Sequence, residues 1–143
     1  SVNEIDGVTD EEQWQRTLEA LKVFQFEGDR LRHLMQALCV VLLLGNLTFD
    51  EDPTVEHQEG GTLITSVDEL DRLSALIGVP AEILETCMTM RLIKTGYEEL
   101  NVQLRPSVAK ESCDALAKEI YAQIFELLVR SINEYTRADT HYK

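Results

Sequence analysis

The chain has 143 residues, with 13 basic against 26 acidic side chains, three cysteines, seven glycines and three prolines. This length indicates one domain, and a 44% hydrophobic, 27% charged composition excludes a disordered chain. The formal charge of −13 makes nucleic acid and anionic membrane surfaces unfavourable partners. Few glycines and prolines favour long helices over turn-rich β structure.

Cysteine usage and hydropathy predict a cytoplasmic chain without membrane insertion. Cys39, Cys87 and Cys113 each lie in an apolar stretch without CxxC spacing, which predicts buried free thiols in a reducing compartment. The longest apolar run, residues 37–44, is much shorter than the ~20 residues that span a bilayer. The acidic N-terminal residues do not resemble a secretory signal.

Helices are predicted at about 10–25, 29–44, 67–77, 80–88 and 107–136. Thr9 with Glu12, and Ser66 with Glu69, have the spacing of capping boxes. Pro80 suits the first position of the fourth helix. Short strands are predicted at 48–49 and 62–64, around an acidic loop at 50–61. Residues 91–104 are assigned to a second loop region, whose first part to Thr95 fits an extended segment.

Two features do not fit a small independent globule. Residues 37–44 are apolar on every helical face, which predicts burial all round. A helix over 107–136 would be ~45 Å long, whereas a compact chain of this length is roughly 37 Å across. The chain therefore reads as a piece of a larger domain, and we expect it in isolation to self-associate or to be marginally stable.

No catalytic, nucleotide-binding or metal site is predicted from the residue chemistry. The 50–61 loop has alternating oxygen ligands, but Val55 and Gly61 stand where a calcium loop needs glycine and glutamate. His33, His57 and His141 lack metal-site spacing, and no glycine-rich phosphate loop is present. Asp114 and Lys118 are spaced for an ion pair on one helix.

Several motifs, in order along the chain, resemble the myosin motor domain. Residues 42–49, LLLGNLTF, resemble the family signature LHLGNI-F, with leucine at the usual histidine. Residues 114–118 match the DALAK motif, and residues 119–133 follow the pattern IY..LF..LV..IN. Upstream, residues 5–10 resemble I-DGV-D and residues 17–21 resemble T--AL. The resemblance covers essentially the whole chain.

The resemblance implies a mainly α-helical fragment with a few short strands, from a larger α/β P-loop motor domain. It would be an internal part of the upper and lower 50-kDa subdomains, between the first and second nucleotide switches. The parent would resemble an actin-activated ATPase that binds ATP and Mg²⁺ through its other segments. The implied partners are the actin filament and the remainder of the motor domain, and the implied location is the cytoplasmic cytoskeleton.

The resemblance also assigns two contact regions. Residues 91–104 resemble the cardiomyopathy loop, a principal actin contact, and the actin-binding residues are expected to be Arg91, Lys94, Glu98 and Glu99. Glu98 lies 16 residues before the DALAK aspartate, at the TEDS position, where a permanent carboxylate removes the need for a heavy-chain kinase. Without the resemblance, Glu98 and Glu99 read as a solvated pair.

Residues 50–61 correspond to the family's loop 4, an auxiliary actin contact that here contains Glu51, Asp52, Glu56 and Glu59 and no lysine. Because actin is acidic, we do not expect a favourable charge contact from this loop. A short-ranged contact and a tropomyosin-like partner are the alternatives.

Two other hypotheses for the function stay open at this point. One is a stand-alone helical interaction module, and the other is an actin-binding pseudo-motor without ATPase activity. Flanking sequence with GxxxxGK[ST] upstream and DxxGFE downstream would favour the motor, and degenerate copies of both would favour the pseudo-motor.

Overall fold

The computed structural model describes residues 4–5, 7–54, 61–96 and 98–140, and these are mainly helical. Its elements are β1 (Glu4–Ile5), β2 (Val8–Thr9), α1 (Asp10–Val23), α2 (Gly28–Asn46), β3 (Phe49–Asp52), β4 (Gly61–Ile64), α3 (Val67–Ile77), α4 (Ala81–Thr89), β5 (Met90–Thr95), β6 (Glu98–Gln103) and α5 (Pro106–Thr140). The strands form three antiparallel pairs, β1–β2, β3–β4 and β5–β6. None of the helices described is long and apolar enough to cross a bilayer.

The chain divides into two compact units, 1–35 with 124–143, and 36–123. In the first unit, Thr9 caps α1 as predicted: its hydroxyl accepts from the Glu12 N–H, and Glu12 accepts from the Thr9 N–H. Phe26 is buried beneath the Arg30 guanidinium, 4.2 Å from the ring centroid. Arg30 also donates to the Ser131 hydroxyl at 2.9 Å. These contacts connect the start of α2 to the last third of α5.

The second unit holds the main apolar core. Its buried members come from α2, β4, α3, α4, α5 and the residue that follows α2: Leu44, Leu47, Ile64, Leu70, Leu73, Leu84, Cys113 and Ala117. At the end of α2, Lys110 donates to the Gly45 carbonyl at 2.8 Å and the Cys113 thiol donates to the Leu44 carbonyl at 3.4 Å. The Lys110 contact satisfies a carbonyl at the helix end, where internal partners run out, while the Leu44 carbonyl also accepts from the Leu47 N–H at 3.3 Å.

Burial of the 37–44 segment is less complete than predicted. Leu44 is buried, but Leu42 is 68% exposed and Cys39 is exposed as well. The prediction of three buried thiols is therefore wrong for Cys39 and Cys87, and correct only for Cys113. Apolar neighbours in the sequence do not reveal which face of a helix finds a partner.

Three local predictions differ from the structure. The Ser66 hydroxyl does not cap α3, because it accepts from the Thr48 N–H at 2.9 Å. Pro80 is the N-cap of α4, one residue before the helix begins. Asp114 pairs with Lys110, at 2.7 Å, where Lys118 was expected. The preceding turn supplies this partner, since Lys110 already reaches the carbonyl at the end of α2.

The two predicted loop regions contain more strand than expected. β3 extends through Asp52 into the 50–61 segment, whose residues 55–60 lie outside the described part. The stretch 98–103, predicted as loop, is strand β6. Among the histidines, His33 is exposed on α2, and His57 and His141 lie outside the described residues.

Candidate functional site

The β5–β6 hairpin contains all four residues that the resemblance assigns to actin binding. β5 pairs with β6 in the register Arg91↔Val102 and Lys94↔Glu99, and Thr95↔Glu98 closes the ladder. Gly96 begins the connection at φ +64°, a left-handed conformation that glycine adopts without a side-chain penalty. Alternation in residues 98–103, with Leu100 and Val102 between polar neighbours, was the signal for a strand that the loop assignment overlooked.

Strand alternation places Glu98 and Glu99 on opposite faces of the hairpin. Residues opposite each other in an antiparallel pair share a face, so Glu99 lies beside Lys94. The Glu99 carboxylate accepts from the Lys94 ammonium at 2.8 Å, and both side chains are more than half exposed. Glu99 is therefore paired within the hairpin, whereas Glu98 lies on the opposite face.

The face that carries Glu98 is partly apolar; the other residues described on it are Arg91, Ile93, Leu100 and Val102. Ile93 is 40% exposed and Leu100 52% exposed, so large apolar side chains face solvent beside an acid and a base. These apolar side chains are not among the predicted site residues. Charge and apolar area exposed together can form a docking surface for a protein partner.

The base of the hairpin is fixed to the second unit. The Leu104 N–H donates to the Thr89 carbonyl at 2.8 Å, next to the junction between α4 and β5. The Thr89 hydroxyl donates to the Glu85 carbonyl at 2.8 Å, and Thr89 is buried. The hairpin is therefore hydrogen-bonded to the end of α4 at its base, and its described side chains are exposed over 91–94 and 98–102.

The second predicted contact region is only partly described. Glu51 and Asp52 lie on β3, whereas Glu56 and Glu59 lie outside the described residues. The Asp52 carboxylate accepts from the Thr54 hydroxyl at 2.7 Å and from the Thr54 N–H at 2.9 Å. The hydroxyl hydrogen bond, followed by the backbone one, lowers the pKa of Asp52. No side-chain cation contacts this carboxylate among the described residues.

The described residues do not form a metal centre. They include no group of three histidine, cysteine or acidic side chains close enough together to hold a metal ion.

The comparisons with known proteins agree with these motifs. The model of the myosin head (motor domain) family matches residues 1–143. The chain belongs to the myosin head family. It is 31% identical over 135 residues to Myosin-1 of Schizosaccharomyces pombe, 33% over 129 residues to unconventional myosin-Ic of Danio rerio, and 32% over 138 residues to the myosin IC heavy chain of Dictyostelium discoideum.

These relatives are much longer than the chain. The matches cover 90–92% of this chain but only 11–12% of each relative. The family is therefore shown for the segment, whereas the activity of a whole motor is a property of the full-length relatives.

Proposed function

We propose that this chain is a segment of an actin-based, ATP-driven motor head, to which it contributes subdomain core and one actin-contact element, the β5–β6 hairpin. The observation that carries the proposal is the opposite placement of Glu98 and Glu99. One carboxylate neutralises Lys94 at 2.8 Å, while Glu98 lies on the face with Arg91 and exposed apolar side chains. Glu98 is thus the acid available to a partner.

Charge distribution favours β5–β6 over β3 as the filament contact. The β5–β6 strands contain two bases, Arg91 and Lys94, and two acids, Glu98 and Glu99, so their formal charge balances within a chain of net charge −13. Strand β3 has the sequence FDED, three acids without a base. An acidic filament repels β3 and does not repel β5–β6, because like charges across an interface oppose association.

The proposal assigns nucleotide chemistry to parts of the motor outside this segment. ATP and Mg²⁺ would bind there, and the segment would transmit filament binding through its helices. Exposed apolar residues on α5, such as Tyr121 at 56% and Phe125 at 61%, support a covering by other parts of the head. Self-association of the isolated chain stays a prediction, as does a location on the cytoplasmic actin cytoskeleton.

The test compares Glu98→Lys with a charge swap at the neighbouring pair, in the motor head that contains this segment. We expect Glu98 to meet a basic group on the otherwise acidic filament. Glu98→Lys reverses the sign of this carboxylate, so repulsion from that group adds to the lost attraction, and actin affinity and actin-activated ATPase should fall by about fivefold or more. The double variant Lys94→Glu with Glu99→Lys preserves both the net charge and the pair. We expect its affinity to stay within about twofold of the wild type.

Two results would count against the proposal. Equal losses in Glu98→Lys and in the double swap would indicate a general sensitivity of the hairpin, and unchanged binding in Glu98→Lys would make Glu98 a solvated acid. Basal ATPase without actin is the readout that separates folding damage from lost docking, because we expect it to stay unchanged in both variants. A head without ATPase at any actin concentration would favour the pseudo-motor.

A further inference from the structure

A cavity of about 230 Å³ lies in the first unit, between the turn that joins α1 to α2 and the last third of α5. Its wall contains one base, one acid, one hydroxyl, one amide and two aromatic rings, which belong to Arg30, Glu134, Ser131, Gln25, Phe24 and Tyr135. The volume is below the range of pockets for drug-sized ligands, so the cavity suits a smaller molecule. The β5–β6 hairpin does not contribute to it, and the proposed actin contact does not use it.

The two charged groups of the cavity are not paired with each other. Arg30 donates to the Ser131 hydroxyl at 2.9 Å, and Glu134 lies three residues beyond Ser131 on α5. Within the described part of the chain, neither Arg30 nor Glu134 takes part in an ion pair. The guanidinium therefore has donors left for a ligand, and the carboxylate has acceptors left for the same ligand.

Ser131 supplies a further donor beside the guanidinium. The residue is only 8% exposed, and its hydroxyl accepts from Arg30, but none of the described residues accepts its own proton. A buried hydroxyl donor without an acceptor is uncommon, because the unused hydrogen bond costs free energy. A carboxylate bound here would accept from Ser131 and from the guanidinium of Arg30 together, and charge-assisted hydrogen bonds of this kind are strong.

The aromatic part of the wall is preformed. Phe24 and Tyr135 meet edge to face, with their ring centroids 5.6 Å apart. Both rings also line the cavity, so a third ring on a ligand can pack against them in the offset or edge-to-face arrangement that aromatic groups favour. The cavity therefore combines an apolar surface with one positive and one negative group.

A ligand with a single charge does not match this wall. An anion that pairs with Arg30 would lie near the carboxylate of Glu134, and a cation that pairs with Glu134 would lie near the guanidinium; like charges oppose binding in both cases. A small zwitterion avoids both conflicts.

We propose that this cavity binds a free aromatic α-amino acid. The ligand carboxylate accepts from Arg30 and Ser131, and the ligand ammonium donates to Glu134. The ligand ring packs against Phe24 and Tyr135. Binding therefore connects the turn before α2 to α5 through the ligand.

The experiment measures three molecules with the same ring by equilibrium dialysis against the motor head that contains this segment. Phenylalanine has both charges, 3-phenylpropionate lacks the ammonium and phenethylamine lacks the carboxylate. We expect saturable binding of phenylalanine, with each of the other two bound about tenfold more weakly, because each loses a charge-assisted hydrogen bond and meets a like charge. Equal binding of 3-phenylpropionate would overturn the proposal in favour of a plain carboxylate site, such as one for a peptide C-terminus. Equal binding of phenethylamine, or no saturable binding of phenylalanine, would also overturn it.

Glu134→Gln locates the ligand ammonium. Glu134 is exposed, so the amide, which has nearly the same shape, is compatible with the fold. We expect this variant to bind phenylalanine and 3-phenylpropionate within about twofold of each other, since the partner of the ammonium is gone and the repulsion of the carboxylate is relieved. Glu126→Gln is the matched control, because it removes the same charge from the same helix and does not line the cavity. We expect the control to keep the tenfold preference for phenylalanine. A preference that persists in Glu134→Gln would place the ligand elsewhere, and a preference lost in both variants would reduce it to an effect of net charge; either result would overturn the proposal.

Discussion

The two hairpins of the second unit have the same topology and opposite environments. In β3–β4, the second strand is buried: Thr62 and Ile64 are 6% and 3% exposed. In β5–β6, the second strand is exposed from Glu98 to Val102. Both consist of two antiparallel strands, so strand pairing does not distinguish a structural hairpin from one that is available to a partner.

Backbone and side-chain partners explain the difference. The β4 strand bonds outward to neighbouring elements, since the Ile64 N–H donates to the Glu85 carboxylate at 3.0 Å and the Thr62 hydroxyl donates to the Leu104 carbonyl. In β5–β6, the described ion pair joins Lys94 and Glu99 within the hairpin itself. Strand β4 is therefore held in the core by neighbouring elements. The β5–β6 hairpin pairs Lys94 with Glu99 internally, and its other side chains can contact another molecule.

The largest expected difference between the two hairpins is in stability, when one apolar residue is truncated in each. Ile64→Ala removes a side chain from the core, and we expect a loss of about 2–5 kcal/mol in the free energy of unfolding. Leu100→Ala, at 52% exposure, should stay within about 0.5 kcal/mol of the wild type. Chemical denaturation followed by circular dichroism measures both, and equal losses would mean that β6 is packed as tightly as β4.

A smaller effect is expected from the hydroxyl that ties β4 to the end of β6. Thr62→Val keeps the shape of this buried side chain but leaves the Leu104 carbonyl without its donor, which should cost about 1–3 kcal/mol. Thr86→Val is the control, because its hydroxyl bonds to the Glu82 carbonyl on the exposed surface of α4. We expect the control to change stability by less than about 0.5 kcal/mol. A null result for Thr62→Val would argue that water replaces the hydroxyl.

Sequence patterns predicted the helices better than the hairpins, for a physical reason. Helical capping and periodicity are local, so the Thr9–Glu12 box was read correctly from four residues. The Ser66 hydroxyl satisfies the same local pattern but bonds to Thr48, 18 residues away. Strand β6 was missed because its alternation is short, and pairing with β5 is what makes this stretch a strand.

The candidate site was also only partly readable from the sequence. The resemblance brought Arg91, Lys94, Glu98 and Glu99 to one segment and singled out Glu98 by its spacing from the DALAK aspartate, but it did not predict that Glu99 pairs with Lys94 on the opposite face. Register decides that separation: a one-residue shift would place Glu98 beside Lys94 and reverse the assignment. The exposed Leu100 was absent from the predicted site because an apolar residue in a sequence is ordinarily assigned to the core.

The smallest expected effect is a change in the pKa of Asp52, at the end of β3. This carboxylate is stabilised by hydrogen bonds from Thr54, whereas Glu99 on β6 is stabilised by the Lys94 ammonium. The Thr54 hydroxyl and then the Thr54 N–H donate to the Asp52 carboxylate and lower its pKa in the folded state from an ordinary value of 3.8. A lowered pKa means that the folded state binds this proton less readily than the unfolded state. The stabilising contribution is therefore present above about pH 3.8 and is lost as the pH falls through the lower folded-state value.

Thr54→Val removes the hydrogen bond with the larger effect and retains the one from the N–H, so we expect the Asp52 pKa to rise part of the way towards its ordinary value. Carboxyl carbon chemical shifts followed against pH measure it, with the urea-unfolded chain as the reference. An Asp52 pKa that is the same in Thr54→Val and the wild type would show that the hydroxyl hydrogen bond does not hold in solution.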